Sequence, residues 1–107
     1  MNADLVIGYV EHNYANGISL RDVAAAFGYS ASHLTTKFRE ATGMPVNSWI
    51  VKRRIIAAQT LLTDGRSVSA VCEAVGFSDL RYFTRQFVRY SGITPGRFRS
   101  VKRQVQP

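Results

Sequence analysis

Residues 71–87 read VCEAVGFSDLRYFTRQF, and residues 23–38 read VAAAFGYSASHLTTKF. Both pass from a short apolar segment through Gly-aromatic-Ser into a polar-faced stretch that ends in Phe. At an offset of 48, Ser19, Val23, Ala26, Gly28 and Ser30 fall on Ser67, Val71, Ala74, Gly76 and Ser78. One extra residue in the second turn makes the offset 49, which brings Thr35, Phe38 and Gly43 onto Thr84, Phe87 and Gly92. The chain of 107 residues therefore builds one unit twice. Pieces of about 50 residues are marginal alone because they bury too little surface, so the copies are expected to share a connecting element.

Spacings of three and four between apolar residues recur from end to end, and no segment alternates in the manner of a strand, so the fold class is all-α, with seven helices. A first helix, about residues 3–15, carries Leu5, Val6, Tyr9, Val10 and Tyr14 on one side and stops at Asn16-Gly17. Ser19 caps a short helix at about 20–27, with Val23, Ala24 and Phe27 inward, and Gly28 ends it. Ser30 or Ser32 opens a helix at about 31–42 that buries Leu34, Phe38 and Ala41. A long helix at about 46–63 is apolar over a wide arc (Trp49, Ile50, Val51, Ile55, Ile56, Ala58, Leu61, Leu62), which predicts contact on two sides. The pattern then restarts: Ser67 caps about 68–75, a helix follows at about 79–91 with Leu80, Phe83, Phe87 and Tyr90 as its buried stripe, and Pro95 opens a last helix at about 96–102.

Two short helices joined by a tight glycine turn, with a polar face on the second, describe a helix-turn-helix. The expected organisation is a first such subdomain over residues 1–45, a connecting helix over 46–63, and a second subdomain with a basic tail over 64–107. The connecting helix, 18 residues, is about 27 Å long, while major-groove faces of a duplex repeat about every 34 Å. Two recognition helices held by it can reach adjacent grooves on one side of DNA.

Charge agrees with that reading. Fourteen Lys and Arg against seven Asp and Glu give +7 and a pI near 10.2, which favours a polyanionic partner. Residues 1–50 hold three bases and four acids, and residues 51–107 hold eleven and three, so the second half dominates the attraction. Arg81, Arg85 and Arg89, four apart on the helix that follows Asp79, form one outer row flanked by Tyr82, Thr84 and Gln86. A guanidinium fork makes two hydrogen bonds to guanine in the major groove, and phosphates accept the remainder. The alternative is that the row only solvates an outer face. The equivalent helix offers Ser32, Thr35, Thr36 and Arg39 with His33 and Lys37 beside them, all able to bond bases or phosphates or simply to face water. In the run Lys52-Arg53-Arg54, Lys52 or Arg53 suits a phosphate, whereas Arg54 lies on the apolar arc and suits an internal hydrogen bond. Arg97, Arg99, Lys102 and Arg103 read as a flexible basic arm.

Other chemistry finds no support. The single cysteine, Cys72, allows no internal disulfide, nothing resembles an export signal, and a reducing cytosol is expected. The longest apolar runs fall short of a membrane span. His12 and His33 lack a companion at metal spacing, no nucleophile, base and orienting acid assemble, and no glycine-rich phosphate loop occurs. No metal, no cofactor and no enzymatic activity are expected.

The order and spacing of Arg54-Ile55, Ala58 and Leu61-Leu62, of Val71 and Val75-Gly76-Phe77-Ser78, of Phe83 and Phe87, and of Gly92-Ile93-Thr94-Pro95 with Phe98-Arg99 resemble the DNA-binding domain of the AraC/XylS family of bacterial transcription regulators. The resemblance covers about Asp4 to Arg99. It implies seven helices in two helix-turn-helix subdomains. It also implies base-facing positions at Ser32, Thr35 and Thr36 in the first recognition helix and at Arg81, Tyr82, Thr84 and Arg85 in the second. Phosphate candidates are His33, Lys37, Arg39, Lys52, Arg53 and Arg89. The function expected is sequence-specific binding of double-stranded DNA by a monomer, for transcriptional activation through RNA polymerase in the bacterial cytoplasm; a largely nonspecific architectural DNA binder is the alternative. Family members are often longer, so the chain is expected to be either a fragment of such a regulator, without its effector or dimerisation domain, or a free-standing activator.

Overall fold

The computed structural model describes the backbone of residues 1–105 and the side chains as far as Lys102. Seven helices and no strand occur among the described residues: α1 (Ala3–Asn13), followed by a 3-10 turn (Tyr14–Asn16), α2 (Leu20–Ala26), α3 (Ala31–Thr42), α4 (Val46–Thr63), α5 (Val68–Ala74), α6 (Leu80–Ser91) and α7 (Pro95–Val105).

Local chemistry sets the boundaries. Ser19 and Asp22 form a capping box at the head of α2: Asp22 N–H donates to the Ser19 hydroxyl (3.3 Å) and Ser19 N–H to the Asp22 carboxylate (2.8 Å). Ser30, not Ser32, caps α3, accepting from the His33 N–H at 3.1 Å. The two helix-turn-helix turns share their hydrogen bonds: Tyr29 N–H to Ala24 O and Gly28 N–H to Ala25 O in the first are matched by Phe77 N–H to Cys72 O and Gly76 N–H to Glu73 O in the second. The extra residue of the second turn becomes the cap. Asp79, rather than Ser78, accepts from the N–H groups of Arg81 (2.8 Å) and Tyr82 (3.1 Å).

Two cores form. Val6, Val10, Val23, Ala24, Leu34, Phe38, Val46 and Ile50 make the first. The second gathers Val51, Ile55, Ala58, Leu62, Val71, Cys72, Val75, Phe77, Phe83 and Phe87. Helix α4 is the shared wall, with Val46 and Ile50 turned to one core and Val51, Ile55, Ala58 and Leu62 to the other. Two cores side by side stretch the molecule to 47 × 22 × 22 Å, and its radius of gyration of 15.0 Å exceeds the about 13 Å of a spherical domain this long.

Four residues expected inside lie outside. Leu5 (61% exposed), Ile56 (48%), Leu80 (46%) and Ala41 sit at the margin of an apolar arc, where the neighbouring helix no longer covers them. The basic tail also needs correction, because α7 is a helix docked on α4 and α6 rather than a flexible arm. The Phe98 ring meets Phe87 edge-on at 5.3 Å, and Arg99 clamps the α4–α5 loop, its Nε donating to Arg66 O (2.9 Å) and its Nη2 to Gly65 O (2.8 Å). Lys102 lies over the Phe98 ring at 5.5 Å, and the side chain of Arg103 falls outside the described residues.

Candidate nucleic-acid interface

Helices α3 and α6 each follow a short helix and a glycine turn, and each buries one stripe: Leu34 and Phe38 on α3, Phe83 and Phe87 on α6. About 100° per residue separates successive side chains on a helix, so the opposite side of α6 carries Arg81, Arg85 and Arg89, all exposed. Tyr82 and Thr84 are half-buried at its flanks. The Arg85 guanidinium lies 5.9 Å above the Tyr82 ring, and that of Arg89 lies 5.8 Å above Tyr90. Each charge is thereby supported on an aromatic face yet keeps its N–H groups toward solvent. None of the three arginines has a carboxylate partner among the described residues. Thr84 donates to Leu80 O (2.8 Å), which leaves its hydroxyl as an acceptor only.

On α3, Ser32, His33, Thr36, Lys37 and Arg39 are exposed, and Thr35 is half-buried with its hydroxyl donating to Ala31 O at 2.9 Å. His33 stacks on Tyr29 at 5.0 Å between ring centres. Lys37 pairs loosely with Glu40 (3.6 Å), an exposed contact that a stronger anion can displace. The ends of the two helices differ. The carboxylate of Asp79 occupies the leading N–H groups of α6, whereas neutral Ser30 caps α3 and leaves the positive end of its dipole uncompensated. Charge on α6 thus comes from its arginines, and α3 adds its backbone to a face on which Ser32 and Thr36 are exposed with Arg39.

The other phosphate candidates are not gathered there. Lys52 and Arg53 line a groove of about 250 Å³ with Ile7, Glu11, Trp49 and Ile56, between α1 and α4, to which neither α3 nor α6 contributes. Arg53 is engaged internally: its Nε sits 2.7 Å from a Glu11 carboxylate oxygen, and its guanidinium lies 4.5 Å above the Tyr14 ring. That hydrogen bond holds the Glu11 carboxyl below the usual carboxylate range and raises Arg53. Because the folded pKa of Glu11 lies below the unfolded one, the pair stabilises fully above the ordinary carboxylate range and fades as pH falls through the folded value. Glu11→Gln is therefore expected to remove less than about 1 kcal/mol at neutral pH, since both side chains are partly exposed, and nothing well below the carboxylate range. Urea denaturation of both proteins at the two pH values measures the difference.

Arg54, placed inside by its spacing, is buried as expected, with the Tyr14 and Ile18 carbonyls as its acceptors. Burial pulls its pKa below the ordinary arginine value, which still leaves it charged. Burial, with Asp79 and Glu73 nearby, pushes the Cys72 thiol up, so it stays protonated in the core. No group of three or more His, Cys, Asp or Glu side chains gathers among the described residues. Nor, among them, is any helix long and apolar enough to cross a membrane. Leu80, on the side of α6 that carries Phe83 and Phe87 rather than on the arginine face, is exposed at the head of the helix.

A helix-turn-helix domain family matches residues 23–100, which include both turns and both exposed helices. The HTH-type transcriptional activator AarP of Providencia stuartii is 35% identical over 95 residues, covering 88% of this chain and 70% of AarP. The chain spans 54% and 35% of the length of the next two curated relatives it matches. Among solved structures, the DNA-binding domain of AdpA, a global transcriptional factor, in complex with a target DNA, superposes with a TM-score of 0.85 at 27% identity over 98% of this chain and 96% of that one. A probable AraC family transcriptional regulator from Rhodopseudomonas palustris gives 0.77 at 26% identity, over 95% and 94%. A family match across most of the chain, two superposed domains and a repeated turn lead to one conclusion: the chain belongs to the helix-turn-helix family of AraC/XylS type.

Proposed function

We propose that the chain reads double-stranded DNA sequence-specifically, with α3 and α6 in adjacent major grooves on one side of the duplex, and that it regulates transcription. The observation that carries this reading is the row of exposed arginines on α6, which have no carboxylate partner among the described residues, displayed by a turn that the chain builds twice. The likeness to a domain solved on its target DNA supports it. Residues 1–45 and 64–107 act as the two reading units and 46–63 as their connector. Arg81, Tyr82, Thr84 and Arg85 face bases from α6; Ser32, Thr35 and Thr36 face them from α3; His33, Lys37, Arg39 and Arg89 hold phosphates. Lys52 and Arg53 are left out, since their groove lies between α1 and α4. Because the two faces differ, one molecule recognises an asymmetric site as a monomer. Activation through contact with RNA polymerase in the bacterial cytoplasm completes the proposal.

Selection of sites from random DNA should return one preferred sequence with two separate half-sites. On that sequence Arg85→Ala is expected to weaken binding by about 1–3 kcal/mol, with a much smaller loss on random DNA. An equal loss on both would reduce Arg85 to a phosphate contact. The small neutral hydroxyls of α3 favour a second reading, a largely nonspecific architectural binder. It predicts a specific-to-nonspecific ratio near one in place of the about thousandfold or more of a specific regulator.

A further inference from the structure

The two reading units meet at one buried side chain. Counted at about 100° per residue, Arg54 lies on α4 between the face given to the first core and the face given to the second. It is 8% exposed and has no carboxylate partner among the described residues. Its Nε donates to Tyr14 O at 2.8 Å and its Nη2 to Ile18 O at 2.9 Å. Both carbonyls belong to the connection that leads into α2, and Ile18 directly precedes the α2 cap. The same guanidinium lies 5.5 Å from the centre of the Phe77 ring, in the turn that leads into α6. The backbones of the two segments also touch. A Cβ added to Gly76 would collide with Tyr14 O and come within 3.0 Å of Arg54 Nε and 3.2 Å of Ala15 Cα.

We propose that Arg54 is a positioning residue for DNA reading: by joining the lead-in of the first helix-turn-helix to the turn of the second, it fixes the separation and rotation of α3 relative to α6. It thereby sets which spacing between half-sites the protein accepts. The inference rests on the two-groove reading and adds its specificity determinant. One inserted base pair moves a half-site by about 3.4 Å along the axis and turns it by about a tenth of a revolution. A planar guanidinium held by two carbonyls and a ring resists that rotation, whereas a joint without it yields. A yielding joint forfeits preorganisation at the best spacing and tolerates its neighbours.

The test uses the full chain and the preferred site, with one to three base pairs inserted or deleted between the half-sites. The wild type is expected to lose more than about tenfold in affinity for a single base-pair change, the avidity of the second contact. Arg54→Gln is expected to bind the best spacing more weakly and the whole series within about threefold. Nitroxide labels at Glu40→Cys on α3 and Val88→Cys on α6, in a Cys72→Ala background, read the joint without DNA. One narrow distance is expected in the wild type and a broadened distribution in Arg54→Gln. Circular dichroism checks that helical content is kept; if Arg54→Gln loses it, Phe77→Leu, which removes the ring beneath the guanidinium, carries both measurements. A flat spacing series or a broad distance in the wild type overturns the proposal, as does a folded variant that changes neither. Absence of any preferred site would remove the DNA reading, while the label distances would still decide the joint.

Discussion

Phe87→Ala should lower the free energy of unfolding by about 3–5 kcal/mol, measured by urea denaturation followed by circular dichroism. The ring is fully buried and meets Phe83 at 5.8 Å and Phe98 at 5.3 Å, both edge to face. Truncation removes the contacts that hold α6 and α7 to α4, and three surrounding helices cannot all collapse into the space. A chain of this length holds about 5–15 kcal/mol in total, so the variant is left close to its unfolding threshold. The control is on the same helix. Leu80→Ala, at a side chain 46% exposed, should stay within about 1 kcal/mol. A Phe87 loss no larger than that of Leu80 would mean that the second core is not packed as described.

Gly76→Ala is the second large effect, and the repeat supplies its comparison. Gly76 has φ +102°, a conformation that L side chains rarely adopt, and its α-carbon faces the Tyr14 carbonyl across the joint. An added methyl group meets backbone, which cannot rotate out of the way as a flexible side chain would. Strain and collision together are expected to remove about 3–5 kcal/mol. Gly28 occupies the same place in the first turn, with φ +72° and open space around it. Gly28→Ala meets only the conformational penalty, about 1–2 kcal/mol. Thermal melts of the two variants side by side separate the terms. Equal losses would show that the contact with Tyr14 contributes nothing.

Those two glycines also mark how far the sequence could be read. Both read as turn residues from the sequence, because a helix that must stop and reverse needs a left-handed residue and little else supplies one cheaply. The spans expected for α3 and α4 coincide with those found, since Ser30, Gly43, Pro45 and Asp64-Gly65 are local signals. Exposure was less legible: Leu5, Ala41, Ile56 and Leu80 fit their helical arcs, but periodicity marks a direction and does not say where the neighbouring helix ends. The row of Arg81, Arg85 and Arg89 follows from spacing alone. Arg99 looked like a tail charge because its acceptors are carbonyls 33 and 34 residues earlier. The meeting of Arg54 with carbonyls 40 and 36 residues before it was equally hidden, for main-chain oxygens carry no residue identity.

The shared wall has a spectroscopic consequence. Val46 and Ile50, the α4 residues that serve the first core, fall in a five-residue stretch too short to remain helical unless the rest of α4 continues it. The first core therefore depends on residues 51–63, whose buried aliphatic side chains pack in the second. Trp49, the only tryptophan, belongs to the first side, edge-on to Phe38 at 5.9 Å. Its emission nonetheless reports the melting of a core it does not touch, and in Phe87→Ala it should change at the same urea concentration as the helical signal.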